Sequence, residues 1–85
     1  MGHWNYRIIK CIKEAKIGKT DYTDVVYRIH EVHYDEQDKI KGWTQDPIHP
    51  LGETVDELKS NLEQMMEAFK KPILIKENGK LIEIT

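Results

Sequence analysis

Residues 42–72, GWTQDPIHPLGETVDELKSNLEQMMEAFKKP, read as the end of a strand, a proline-punctuated connector and one amphipathic helix. Thr54 stands immediately before an apolar periodic run and Glu57 follows three residues later. The threonine hydroxyl can accept from the Glu57 amide while the Glu57 carboxylate reaches back, which is a capping box. Val55, Leu58, Leu62, Met65, Met66 and Phe69 recur at helical spacing as a single apolar stripe, with Asp56, Lys59, Ser60, Glu63, Gln64 and Lys70 mostly on the opposite surface. Asp56 and Glu57 lie at the positive end of the helix dipole, Lys70 and Lys71 at the negative end, and Pro72 cannot extend the ladder. A helix of this length is marginal alone in water. Its stripe is therefore expected to lie against a β layer, with one of Met65 and Met66 in the core and the other partly exposed. Leu62 belongs to that core on this reading, so Leu62→Ala should cost about 2–5 kcal/mol.

Working outward, Trp4 to Lys13 alternates Trp4, Tyr6, Ile8 and Ile12 against Asn5, Arg7 and Lys13, and reads as a strand. Ile9 and Cys11 fall out of phase, giving the strand apolar surface on both faces, as a central or dimer-covered strand requires. Residues 14–21, EAKIGKTD, read as a loop. Tyr22 to Tyr34 is β-branched and aromatic and reads as a long strand, joined through the charged tip Asp35–Asp38 to a third strand over Lys39 to Gln45. Asp46 to Gly52 carries two prolines and is a rigid crossing to the helix. After Pro72, two apolar runs flank Asn78-Gly79, the strongest hairpin signal in the chain, although a single terminal strand is also compatible with the pattern. The expected fold is α+β over one domain, residues 1–85: an antiparallel three- to five-stranded sheet with one long helix on one face, in the order β-β-β-α-β(β).

The chain has 85 residues and a formal charge of −2 with both signs interspersed, so nucleic acid is not an expected partner. Lys10, Lys13, Lys16 and Lys19 supply only a modest basic stripe. The single cysteine excludes an intramolecular disulfide, and no secretory signal or long apolar run is read. A cytoplasmic protein without membrane contact is the expectation.

Catalytic candidates are weak. His30 and His33 are three apart, and on a strand that spacing places them on opposite faces, where they cannot easily share a metal ion. A metal-dependent hydrolase role for them, or weak nucleic-acid binding, is an alternative of lower weight. Cys11 sits among isoleucines and reads as a small buried filler rather than a thiolate nucleophile. Glu31, Asp35, Glu36 and Asp38 surround a hairpin tip and read as solvated charge. No catalytic residue, metal ligand or cofactor is expected, and the chain is read as non-enzymatic. Trp43, at the end of the third strand, either packs over the crossing loop or the helix start, or anchors a protein interface. Tyr34, Tyr27, Ile9 and Cys11 join it as interface candidates, and self-association is expected because a sheet covered on one side must protect its other face or its edges.

The run Gly52-Glu53-Thr54-Val55-Asp56-Glu57-Leu58 resembles the segment that opens the helix of HicB-like antitoxin domains, where three strands and a proline-containing segment also come first. The longer run GWTQDPIHPLGETVDELKSNLEQMMEAFKKPIL is similar to small proteins of cyanobacteria and phages that have no established activity. The first resemblance implies a partial ribonuclease-H-like fold and a protein partner, a small toxin in that family. Many members add a C-terminal DNA-binding segment, which is not read here up to Thr85. The resemblance implies an antitoxin-like or regulatory protein that binds another protein. The second likeness suggests an inhibitor of a metabolic or defence protein encoded by a phage or its host.

Overall fold

In the computed structural model, which describes residues 2–84, the strand that opens the chain continues well past Lys13. β1 (His3–Ile17) and β2 (Thr20–Tyr34) pair antiparallel without a slip from His3↔Tyr34 to Ile17↔Thr20. The loop expected over residues 14–21 is instead the end of a hairpin closed at Gly18-Lys19. Gly18 has φ +63°, which glycine adopts without the steric cost that a Cβ brings and which suits the first central position of a two-residue hairpin turn. The local composition looked like a loop because its polar residues face solvent on both sides of an extended ribbon.

β3 (Ile40–Trp43) returns along β2 after a tip in which the Asp35 carboxylate accepts from the amides of Gln37 and Lys39. Asp38 takes φ 62°, a conformation that aspartate tolerates better than most residues. The crossing then reaches α1 (Val55–Met66), whose start is specified locally as expected. Thr54 Oγ1 accepts from the Glu57 amide at 3.1 Å, and Glu57 Oε2 accepts from the Glu53 amide at 2.8 Å. Gly52 lies so close to the helix start that a Cβ would sit 2.3 Å from the Leu58 nitrogen. α1 is shorter than the sequence implied, because its last turn tightens into a 3-10 segment, Glu67–Lys70.

After Pro72, β4 (Leu74–Glu77) and β5 (Lys80–Glu83) form the hairpin that Asn78-Gly79 announced, with φ 52° and 76° at the two turn residues. Both values are those a type I′ turn demands. The sheet order is β3-β2-β1-β4-β5. The expected α+β class holds, with one correction: β4 runs parallel to β1, through Ile9↔Leu74 and Lys10↔Ile75, so the sheet is mixed rather than antiparallel. The reason is the helix, which carries the chain back along its own length and delivers β4 in the same direction as β1. β1 thus occupies the centre, as its two apolar phases required.

The two faces of β1 are covered by different means. Asn61 of α1 donates to the Tyr6 hydroxyl, placing the helix on the Tyr6/Ile8 face, where Ile8, Met65 and Ala68 are buried. The opposite face holds the main cluster, Ile9, Val32, Tyr34 and Leu74, with Cys11, Ile40, Trp43 and Leu81 against it. Among the described residues no helix lies over this face.

The apolar stripe of α1 does not behave as expected. Met65 is 2% exposed and Met66 is exposed, which agrees with one methionine in the core and one outside it. Leu62, however, is 48% exposed and Phe69 67%, and Val55 and Leu58 are exposed as well. The helix meets the sheet near its C-terminal end and leaves most of its stripe open. Leu62→Ala is therefore expected to cost less than about 1.5 kcal/mol, while Leu74→Ala, at a fully buried position, costs about 2–5 kcal/mol. Urea denaturation of the two variants checks the ranking.

Candidate functional site

Three of the five interface candidates, Trp43, Ile9 and Cys11, line one cleft on the face without a helix. Trp43 pairs with Val32, and Ile40 with Tyr34, on either side of a register shift in the β2/β3 ladder. Residues three apart on a regular strand would point to opposite faces, and the extra residue at the shift brings Trp43 and Ile40 onto the same one. Ile9 and Cys11 reach this face from β1. With His30, Arg28, Trp43, Gln45 and Lys76 they line a cleft of about 420 Å³. Lys76 Nζ stands 5.9 Å from the centroid of the Trp43 ring, although β4 and β3 are separated in the sheet by β1 and β2. The sheet is therefore curled, bringing side chains near opposite edges into contact.

The cleft is anchored by buried polar groups. His30 is 4% exposed; its Nδ1 lies 2.9 Å from the Thr44 carbonyl oxygen and 3.2 Å from the Thr44 hydroxyl, and its buried Nε2 has no hydrogen-bond partner among the described residues. Donation from Nδ1 to that carbonyl fixes the residue that follows β3 against β2. Next to it, the buried Arg7 guanidinium donates to the Tyr34 hydroxyl at 2.8 Å, to the Pro72 carbonyl at 2.8 Å and to Glu83 Oε1 at 3.4 Å. Tyr34 passes the chain on by donating to Asn5 Oδ1. This network ties β1, β2, the exit from the helix and β5 together across the face that carries Trp43.

The other candidates are placed differently. Tyr34 is buried in the core beside the cleft, where it serves the network rather than a surface. Tyr27 pairs with Lys10 and lies on the Tyr6/Ile8 face, exposed and apart from Trp43. Trp43 does not cover the helix start, since the helix is on the other side of the sheet. Cys11 is half-buried at the cleft wall, more open than the buried filler expected from its isoleucine neighbours. His30 pairs with Arg7 and His33 with Trp4 in the ladder, so the two imidazoles occupy opposite faces, as strand periodicity required.

The sequence reading missed Arg7, Arg28 and Lys76. Arg7 carried a signal, since it stands in phase with Ile9 and Cys11 on a strand apolar on both sides and so had to be buried with partners. Lys76 carried none, because its meeting with Trp43 depends on sheet curl.

A second surface adjoins on the helical side: the exposed Leu58, Leu62, Met66 and Phe69, with Trp4 nearby in sequence phase with Tyr6. The Trp4 and Tyr6 rings meet edge to face, with centroids 5.2 Å apart. Among the described residues no helix is long and apolar enough to cross a membrane. Comparison of the chain with protein-family models, characterised proteins and solved structures returns no match.

Removing the Arg7 guanidinium leaves the Tyr34 hydroxyl and the Pro72 carbonyl each short of a charged donor. Arg7→Leu is expected to lower stability by about 1.5–3 kcal/mol, read as a shift in the denaturant midpoint.

Proposed function

We propose that this protein is a small non-enzymatic protein-binding domain, antitoxin-like or regulatory in role, that docks a partner protein on the exposed stripe of α1. The observation that carries the reading is the state of that helix: Leu58, Leu62 and Met66, four residues apart, share a face of α1 and are exposed, as is Phe69 in the 3-10 turn that follows. A monomeric soluble domain rarely leaves so continuous an apolar row open, and such rows mark interaction surfaces. Helix residues spaced in this way seat into a partner's groove. Trp4 adds an aromatic anchor of the type that dominates binding energy at interfaces.

The order of elements, three strands and a helix followed by a strand beside β1, supports the HicB-like comparison made from the sequence. A nucleic-acid role is less well supported. Lys10 and Lys16 lie on one face of the β1/β2 ribbon and Lys13 on the other, and Lys13 and Lys16 face Asp24 and Asp21 across the register. The basic residues therefore form no single field of the kind a phosphate backbone needs.

The protein encoded beside this one in its genome is the partner to test first. Co-expression is expected to yield a complex that survives gel filtration, and Leu62→Asp to abolish it while the free variant keeps its circular dichroism spectrum. A complex that forms undiminished with Leu62→Asp overturns docking on α1.

A further inference from the structure

The chain has an accessible surface of 6726 Å². A compact monomer of 10.1 kDa exposes about 5,300 Å², so about 1,400 Å² is in excess. The radius of gyration is 15.3 Å, against about 12 Å for a compact chain of this length. Much of the excess lies in the outer β1/β2 ribbon, from Cys11 to Val26, where Ile12, Ile17, Tyr22, Val25, Val26 and the adjoining Tyr27 are all exposed. A two-stranded ribbon is at best marginally stable in water, and one apolar on both faces needs another β element beside it.

We infer that a second copy of this chain supplies that element, by antiparallel pairing of the two β2 strands about a two-fold axis at Val25. β2 is already bonded along its outer edge near β3: the carbonyls of Glu31 and Ile29 accept from the amides of Thr44 and Ile48. From Thr20 to Arg28 that edge pairs with no other strand among the described residues. Because main-chain groups alternate in direction along a strand, the N–H and C=O of Tyr27, Val25 and Thr23 point to the same open edge as those of Ile29 and Glu31. A two-fold axis at Val25 lets the two Val25 residues exchange a pair of bonds and each Thr23 exchange a pair with the partner's Tyr27, about six bonds in all.

The side chains agree with this register. Tyr22 lies opposite the partner's Arg28, a cation beside an aromatic ring, and Asp24 lies diagonal both to that guanidinium and to its own copy, farther from it than an axis at Asp24 would set the two carboxylates. Val25 meets Val25, and Asp24 meets Val26. An axis at Asp24 would set that carboxylate against its own copy, and an axis at Val26 would shorten the paired edge. Edge-to-edge closure around a two-fold is self-limiting, so the sheet doubles and stops.

This surface is separate from the α1 stripe, and the two are tested independently. Sedimentation of the full chain is expected to show a dimer. Val25→Pro is expected to be a folded monomer, because the Val25 N–H points away from β1 and its loss spares the β1/β2 ladder. Asp24→Lys, which keeps the backbone intact, places a cation beside the partner's Arg28 and is expected to weaken dimerisation at least about tenfold. In a Cys11→Ser background, Val25→Cys should give a covalent dimer on mild oxidation and Ile17→Cys should not. A wild-type monomer at high micromolar concentration, a dimer indifferent to both Val25→Pro and Asp24→Lys, or a dimer that does not cross-link through position 25 overturns the proposal. A monomeric chain that still binds its partner protein through Leu62 would leave the α1 reading intact.

Discussion

A central strand with apolar side chains in both phases has to be covered twice, and this requirement on β1 organises the rest of the protein. Ile8 faces one way and Ile9 the other, and both are buried. The helix answers the first demand through Met65 and Ala68. The second is met by curvature: β3 and β5, at opposite edges of the sheet, bring Trp43 and Leu81 over the cluster of Ile9, Val32, Tyr34 and Leu74. With one helix and 85 residues, a curled sheet is how this chain closes a core on the side no helix reaches.

That solution has a polar component. Arg7 is placed by strand phase among the apolar residues of the curled face, where an unpaired guanidinium would be costly. Its two Nη groups donate to the Tyr34 hydroxyl, the Pro72 carbonyl and Glu83, while its buried Nε has no partner among the described residues. The same contacts fix where the chain leaves the helix and where β5 ends. Arg7 pairs across the ladder with His30, which lines the Trp43 cleft, so the side chain that joins these elements also sits beside the cleft.

Both coverings stop short. The helix reaches the sheet near its C-terminal turn and leaves Leu58 and Leu62 open, and the hairpin of β1 and β2 runs on past the last residue of β1 that β4 can pair. The molecule is built as a small closed centre with two apolar extensions of different kinds. One is a helix face, suited to a groove. The other is a strand edge, suited to another strand.

Much of this was written in the local sequence. Thr54 and Glu57 fixed the helix start, Asn78-Gly79 fixed the last hairpin, and the phases of Ile8 and Ile9 required a central β1. These are short-range effects, set by caps, turns and periodicity. Tertiary structure alone decided the direction of β4, the meeting of Trp43 with Lys76, and which residues of the α1 stripe are covered. A periodic stripe says which side of a helix is apolar, but the area it buries depends on where the helix lands on the sheet, and that is set by contacts distant in sequence.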